Sequence, residues 1–400
     1  MKLRLSKQQV KRLRTGFRAA FGTEPDRYFS APGRTELGGN HTDHQLGKVL
    51  AAAVNLDTLA AVRENGTDVI RVLSEGYPFF QVLVGVHPRD PEKFNTTYSL
   101  VVGVMERFQQ MGCKVRGFDA YVTSSVLPGS GLSSSAAFEV LFAVILNSMF
   151  FENKLTAPEL AEVGMYAENV YFGKPCGLMD QMASAVGNMI TIDFGDQEHP
   201  VIERVDFDFA TCGHALCIID TRANHADLTE EYAAITEELG KICAHFGKRR
   251  LRQVLPAEFY AAIPELRKSC GDRAVLRALH VYRENVRVEQ QVEALRQGDF
   301  DRYLRLMKES GYSSYMYLQN VLVAGSVAEQ AVGLTLGLCE TLLDGRGGYR
   351  VHGGGFAGTV QAFVPLDMLD NFRAGIEAVL GEGACHVVSI RPQGGTECEV

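Results

Sequence analysis

The spacing of apolar and polar residues predicts many strands in the first half of the chain. Runs typical of half-buried or buried strands occupy residues 28–31, 49–63, 69–73, 80–84 and 117–124. Helical periods occupy residues 97–110, 132–151 and 158–171. In the last of these, apolar residues recur at intervals of 3, 4 and 3, which places them on one helix face. The first half therefore predicts a sheet covered by helices.

After Asp193 the pattern changes. A buried strand is predicted at 214–221, followed by helices at 228–246, 274–297, 300–310 and 327–343. Two strands at 349–352 and 359–364, a helix and a last strand at 386–390 complete the pattern. This irregular order predicts an α+β fold and not a doubly wound sheet. We place the domain boundary near Phe209, giving an N-terminal domain at 1–209 and a C-terminal domain at 210–400.

Composition narrows the class of protein. The 400 residues are too many for one ordinary core, and 46% hydrophobic with 22% charged residues is typical of a globular protein. A net charge of −8 without a basic stripe argues against nucleic-acid binding. The apolar stretch 136–151 is short for a membrane span, and residues 2–18 predict an exposed amphipathic helix instead of a signal peptide. Nine scattered cysteines without metal spacing indicate reduced thiols, so we expect a cytoplasmic protein.

The most informative segment, residues 127–137, reads Leu-Pro-Gly-Ser-Gly-Leu-Ser-Ser-Ser-Ala-Ala between a strand-like run and a long helical run. Its glycines and the following helix N-terminus would expose backbone N–H groups to an anion. A simple helix cap would explain one serine and one glycine, but not two glycines and four serines in the seven residues 129–135. The Gly-Lys-Ser/Thr ending of a Walker loop is missing, so another group must replace its phosphate-binding lysine. The candidate phosphate-binding residues are Pro128, Gly129, Ser130, Gly131, Leu132, Ser133, Ser134, Ser135 and Ala136.

Two further segments concentrate glycine and polar residues. Residues 31–44 carry one cation and three glycines between two strand-like runs, which is compatible with an ordinary polar loop or with a binding segment. Residues 350–358 carry three consecutive glycines between two strands. Ordinary turns rarely need three glycines, so this segment favours close approach of the backbone to a ligand.

These segments, in this order, resemble the motifs of the GHMP kinases and, within them, of the galactokinases. Residues 32–43 align without a gap to the sugar signature, 131–136 match the phosphate loop at every position, 353–358 match except at Ala357, and 176–181 match the motif Cys-Gly-Ile-Met-Asp-Gln. The resemblance implies a two-domain fold: an N-terminal domain like the second domain of ribosomal protein S5 and a ferredoxin-like C-terminal domain, with the active site in the cleft. It also implies an ATP-dependent kinase that uses Mg²⁺ and phosphorylates a sugar hydroxyl.

The resemblance also implies residue roles. Asp180 corresponds to the catalytic aspartate and Arg34 to the arginine beside it, which would keep the aspartate ionised. Ser135 and Glu168 correspond to the Mg²⁺ ligands, and Glu168 lies twelve residues before Asp180 as in galactokinases. The alternatives are a helix-capping Asp180 and a solvated Glu168.

A second set of residues corresponds to the sugar pocket. Asp43 matches the aspartate that contacts sugar hydroxyls, His41 and Gly177 belong to the same pocket, and Asn40 occupies the position that contacts O6. Tyr232 falls twelve residues after Asp220, as does the sugar-contacting tyrosine. A core tyrosine on an amphipathic helix is the alternative for Tyr232.

The sugar side departs from the galactokinase pattern. The departures are Glu36 for asparagine, Gly38 for isoleucine, Asn40 for glutamate, His44 for tyrosine and His352 for threonine, together with an altered segment at 310–321. Three functions therefore stay open: a galactokinase, a kinase for galacturonate or a related sugar, and a non-catalytic sugar and ATP sensor. The intact serine loop and Asp180 favour catalysis. Nothing in the sequence indicates a protein partner.

Overall fold

The computed structural model describes residues 3–126, 131–174, 176–196, 199–223 and 228–400. The first half contains the elements α1 Lys7–Phe21, β1 Arg27–Gly38, β2 Lys48–Glu64, β3 Val69–Ser74, β4 Phe80–Leu83, α2 Thr97–Gln110, β5 Phe118–Ser124, α3 Ser134–Phe150, α4 Ala157–Tyr166, α5 Met179–Val186, β6 Met189–Asp193 and β7 Val201–Arg204. A π-helical segment, Ala167–Phe172, continues α4.

The second half is built from β8 His214–Asp220, α6 Thr229–His245, α7 Pro256–Ser269, α8 Asp272–Arg296, α9 Phe300–Ser313, α10 Ala331–Leu343, β9 Gly348–His352, β10 Thr359–Pro365, α11 Leu369–Leu380, β11 Cys385–Val388 and β12 Thr396–Glu397. A second π-helical segment, Ser314–Leu318, continues α9. Helices and strands in this irregular order confirm the predicted α+β class.

Within the described residues, the first sheet has eight strands in the order β12-β1-β2-β5-β3-β4, with β6 on β2 and β7 on β6. The long β2 pairs with β6 through its first half and with β5 through its second half. Helices α2 to α5 bury one face of this sheet around Phe108, Phe118 and Phe142. On the other face, α1 contributes Leu13 and Phe17, which are fully buried. Burial of such side chains stabilises the fold by roughly 1.5–3 kcal/mol each.

The second sheet is antiparallel, in the order β11-β8-β10-β9. Helices α10 and α11 supply side chains to the core on one face. Residues of α8 and α9 join a core that reaches both sheets, because Tyr303 and Phe363 belong to the same buried cluster as Leu50 and Val54. Strands up to β7 belong to the first sheet and β8 begins the second, but the last strand, β12, pairs with β1 in the first sheet. The boundary at 209/210 stays a prediction.

Several local predictions differ from the structure. Most of the polar segment 31–44 lies within β1, which was expected to end at residue 31. Helices α5 and α7 and strands β6 and β7 were not predicted. The helix predicted at 158–171 changes to π-helical geometry after Tyr166. Among the described residues, no helix has the length and apolar character needed to span a membrane.

Candidate active site

The centre of the site is a buried ion pair between β1 and α5. The Arg34 guanidinium donates through Nε to Asp180 Oδ1 at 2.7 Å and through Nη2 to Oδ2 at 2.8 Å. Its third nitrogen, Nη1, donates to the carbonyl of Gly131. The Arg34 side chain is 8% exposed and that of Asp180 is 28% exposed, so the carboxylate keeps access to solvent. This two-bond geometry fixes the orientation of both groups.

The charges around Asp180 keep it ionised. Burial alone would raise the pKa of Asp180, but the Arg34 charge and its hydrogen bonds, the Ser133 hydroxyl and the Lys174 ammonium lower it below its ordinary value. For Arg34, burial acts to lower the pKa, yet the charge of Asp180 outweighs it and the pKa is raised. The site therefore presents a fixed carboxylate beside a permanent cation.

The phosphate loop enters α3 next to this pair. Ser133 precedes the helix in a left-handed conformation, with φ of 55°, and Ser134, Ser135 and Ala136 form the first turn. Leu132 accepts from the Arg34 backbone N–H at 3.0 Å. The helix N-terminus thus opens beside Arg34, where a phosphate group would be stabilised. Pro128, Gly129 and Ser130 lie outside the described residues.

Gly131 is required by close packing across the two sheets. Its φ is +69°, and a Cβ there would lie 2.2 Å from Thr359 Oγ1 and 2.9 Å from His352 Nδ1. His352 Nε2 accepts from the Glu36 backbone N–H at 3.2 Å, so its proton is on Nδ1, which donates to Thr359 Oγ1 at 3.0 Å. Burial, with the charges of Arg34 and Arg350, holds the pKa of His352 well below its ordinary value.

The predicted metal ligands contact one another. Ser135 Oγ donates to Glu168 Oε1 at 3.1 Å, and Gln181 Nε2 donates to Glu168 Oε2 at 2.8 Å. The Lys174 ammonium lies 3.4 Å from the same Oε1. Glu168 belongs to the π-helical segment, a local widening that often occurs at functional sites. It is 2% exposed, which contradicts a solvated helix face.

A second buried carboxyl group lies behind Glu168. Gln181 Nε2 also donates to Glu139 Oε2 at 2.9 Å. Burial and the charge of Glu168 raise the pKa of Glu139 well above its usual range, so the Glu139 carboxyl holds its proton more strongly than an exposed carboxyl does. Among the described residues, no group of three or more His, Cys, Asp and Glu side chains could hold a metal ion. One carboxylate and one hydroxyl suit Mg²⁺ if phosphate and water oxygens complete its coordination shell. The Lys174 ammonium beside Glu168 Oε1 shows that this oxygen accepts a cation.

Asp43 and Gly177 form one edge of the predicted sugar pocket. A Cβ at position 177 would lie 2.4 Å from Asp43 Oδ2, so only glycine leaves that carboxylate in place. The segment is fixed by Asn169, whose side chain bonds the Cys176 N–H at 2.7 Å and the Cys176 carbonyl at 3.3 Å. The Asp43 side chain is 13% exposed.

Three predicted sugar-pocket residues gather on the glycine-rich turn after β9. The carbonyls of Gly353, Gly354 and Gly355 accept, in order, from Asn40 Nδ2 at 2.7 Å, His41 Nε2 at 2.9 Å and Tyr232 Oη at 2.9 Å. A Cβ at Gly354 would lie 2.7 Å from the Tyr232 ring. The triple glycine therefore allows the turn to approach these side chains. Burial lowers the pKa of His41 to about 4, so its ring is neutral at pH 7.

Asn40 uses its whole hydrogen-bonding capacity inside the protein. Besides Gly353, its amide donates to Glu36 Oε1 at 3.2 Å. Its Oδ1 accepts from Ser314 Oγ at 3.1 Å and from Asn320 Nδ2 at 2.9 Å. The residue is 1% exposed. An amide has two donors and two acceptor positions, so Asn40 has no polar group left for a ligand in this arrangement.

The residues that depart from the galactokinase signature contact one another or fit their own neighbours. Arg350 pairs with the Glu36 carboxylate and donates to Ser310 Oγ at 2.9 Å. Ser310 in turn donates to Glu284 Oε1 at 2.5 Å. A Cβ at Gly38 would lie 2.1 Å from Gln291 Oε1, which leaves no room for the usual isoleucine. We call Glu36, Asn40, Ser310, Glu284 and Arg350 the buried polar network.

Sequence reasoning did not identify several residues of this site. Lys174 and Gln181 lie inside or beside a quoted motif, but no spacing rule separates them from surface residues. Glu139 stood out as a charge within the apolar stretch 136–151, which was a usable signal of a buried function. Glu284 and Arg350 could not be paired from the sequence, because they are separated by 66 positions.

Comparison with known families agrees with this geometry. The GHMP kinase N-terminal domain family matches residues 99–188, and the galactokinase galactose-binding signature matches residues 15–64. The galactokinase of Streptomyces coelicolor is 32% identical over 387 residues, covering 95% of this chain and 96% of that protein.

Solved structures give the same picture. The crystal structure of Lactococcus lactis galactokinase complexed with galactose superposes with a TM-score of 0.82 at 25% identity, covering 97% of this chain and 99% of that one. The crystal structure of L. major mevalonate kinase in complex with R-mevalonate shares the fold with a TM-score of 0.62 at 17% identity, over 93% of this chain and 99% of that one. The predicted two-domain GHMP kinase fold is confirmed.

Proposed function

Because this chain belongs to the galactokinase family of the GHMP kinases, an ATP-dependent family of phosphotransferases with alcohol acceptors, we propose that it phosphorylates D-galactose at C1. The C1 hydroxyl oxygen forms a bond to the γ-phosphorus of ATP. The bond from that phosphorus to the β–γ bridging oxygen breaks, and ADP leaves. The hydroxyl proton passes to Asp180, and the products are ADP and galactose 1-phosphate.

The single observation that carries this proposal is the two-bond pair between Arg34 and Asp180 beside the phosphate loop. A carboxylate with a lowered pKa is a weak base, so it orients the hydroxyl and accepts its proton as the oxygen–phosphorus bond forms. Such timing fits the loose transition state of phosphoryl transfer. Arg34 would stabilise negative charge on the transferring group, since its guanidinium is held rigidly in place.

ATP is assigned to the loop that precedes α3, with the helix N-terminus and the residues from Gly131 to Ala136 against its phosphates. Glu168 and Ser135 would hold Mg²⁺, because the buried carboxylate and the hydroxyl oxygen lie 3.1 Å apart and Glu168 Oε1 already accepts the Lys174 ammonium. When bound there, the ion would neutralise charge on the phosphates. A cytoplasmic location is also part of the proposal, supported by nine free cysteines, all of them in described segments.

The acceptor is assigned to the pocket formed by Asp43, His41, Gly177 and Tyr232. Asp43 supplies a carboxylate for sugar hydroxyls, and the neutral His41 ring is fixed by Gly354. Galacturonate is the second candidate, favoured by one observation. Residue 40 is a neutral amide, and the carboxylate that it contacts, Glu36, is paired with Arg350. No free negative charge at these two positions would repel a C6 carboxylate.

The test is ADP release measured with galactose, galacturonate, glucose and N-acetylgalactosamine under identical conditions. We expect galactose to give the highest kcat/KM. A higher value for galacturonate would move the assignment to the second candidate. Absence of ADP release with every sugar, in a protein that binds ATP, would favour the sensor function instead.

A further inference from the structure

The positive charge available to phosphates at the phosphate loop, residues 127–137, is small. The loop has the glycines, serines and helix N-terminus of a phosphate site, but it lacks the lysine that completes a Walker loop. Arg34 is a fixed cation beside this loop, and each of its three side-chain nitrogens donates to Asp180 or to the Gly131 carbonyl. A cation whose contacts can change would add to this charge when the phosphates bind.

Lys174 fits this requirement in position. Its ammonium lies 3.4 Å from Glu168 Oε1, the same oxygen that accepts from Ser135 on the first turn of α3. Its charge also acts on Asp180. The ammonium therefore lies next to a carboxylate that bonds the first turn of the phosphate-loop helix.

The Lys174 backbone is fixed, whereas its side chain is largely exposed. Its N–H donates to the Glu168 carbonyl at 3.2 Å, directly after the left-handed Gly173 that ends the π-helical segment. The side chain is 61% exposed, while that of Glu168 is 3% exposed. A four-carbon chain that is not packed can turn from the carboxylate to a nearby phosphate at small cost.

We propose that Lys174 is the phosphate-binding cation of this site and that it shares Glu168 Oε1 with the metal. With a metal ion on this oxygen, the Lys174 ammonium would lose its partner and would bond the β- or γ-phosphate oxygens of ATP instead. This inference rests on the proposed ATP site, but not on the identity of the sugar.

The test compares Lys174→Met with Lys154→Met. Lys154 is a matched control, because its ammonium also lies 3.4 Å from a glutamate oxygen, that of Glu152, and its side chain is 58% exposed. Two dissociation constants are measured with the full chain: Mn²⁺ alone by electron paramagnetic resonance, and the Mg²⁺ complex of β,γ-imido-ATP by calorimetry. No sugar is present, so a wrong sugar assignment does not affect the result.

The proposal predicts opposite changes for Lys174→Met. Mn²⁺ should bind several-fold more tightly, because a competing cation is gone, and the nucleotide should bind about tenfold more weakly, because a charge-assisted hydrogen bond is lost. Lys174→Arg should restore nucleotide binding to within about threefold, and Lys154→Met should change neither constant. If either constant of Lys174→Met stays within twofold of wild type, or if both affinities fall together, the proposal is overturned.

Discussion

The phosphate side and the acceptor side of the site differ in how their motif residues are used. On the phosphate side, residues that match the family motifs bond directly to one another, as Arg34 does to Asp180 and Ser135 to Glu168. On the acceptor side, two residues that depart from the motif, Glu36 and Asn40, bond to each other, and Glu36 also pairs with Arg350. The contacts on the phosphate side therefore join motif residues, whereas those on the acceptor side include residues outside the motif.

This difference changes the meaning of the substitutions. Taken singly, Glu36, Asn40 and His352 look like lost ligand contacts. In the structure they are buried, and each is hydrogen-bonded to β1, β9, β10 or the glycine-rich turn. Buried polar groups with satisfied partners cost little, but they become destabilising when one partner is removed. These positions should therefore affect stability before they affect sugar choice.

The largest effect is expected on the phosphate side. Asp180→Asn should lower kcat by about 10²–10⁴, because the amide cannot accept the hydroxyl proton, while the dissociation constant of ATP changes little. Steady-state kinetics and calorimetry check the two expectations. A variant that keeps more than about a tenth of wild-type turnover would exclude Asp180 as the proton acceptor.

On the acceptor side, Asn40→Glu should lower the free energy of unfolding by about 3–5 kcal/mol, because it places a second carboxylate against Glu36 and removes two donors. Urea unfolding measures this value. The double variant Glu36→Gln/Asn40→Glu should recover part of the loss, since the like charge is gone. Unchanged stability together with an altered ratio of galactose to galacturonate activity would instead make Asn40 a direct sugar contact.

Gly177→Ala tests the pocket edge. The added Cβ must displace Asp43, so we expect KM for the sugar to rise about tenfold while KM for ATP changes less than twofold. Gly240→Ala is the control, because no atom lies within 4 Å of a Cβ there and the residue is inside α6. Equal kinetics in Gly177→Ala and Gly240→Ala would remove Asp43 from the pocket.

The smallest effect concerns pH and His352. Its pKa is lowered in the folded state, so folding excludes a proton that the unfolded chain binds below its own pKa. The contribution of His352 to the free energy of unfolding is fully present above about pH 6.5 and falls by about 1.4 kcal/mol per pH unit below it. Urea titrations measure the free energy of unfolding at pH 7 and at pH 5. His352→Thr should lose less of it over this range than wild type does, because the variant lacks this one titrating group. An identical pH dependence in both proteins would show that His352 accepts a proton while folded.

The site residues that lie in motifs could be predicted from the sequence, whereas the residues that surround them could not. Asp180 and Arg34 could be chosen because local motifs mark them, although they lie 146 positions apart. The network partners Glu284, Ser310 and Arg350 carry no local mark, since a buried charge is indistinguishable from a surface charge in a periodic helix. The length of β1 was underestimated because Pro32, Gly33 and Gly38 are typical turn residues, whereas the pairing with β2 tolerates them through register shifts.

The most direct test of the account is the position of the phosphate in the product. The chain is incubated with ATP and D-galactose, and the product is examined by proton-coupled ³¹P nuclear magnetic resonance. The account predicts stoichiometric ADP and a phosphorus signal coupled to the anomeric proton, and it predicts no such signal over the same period with Asp180→Asn. A phosphate on another carbon, or release of inorganic phosphate without a sugar phosphate, would contradict it.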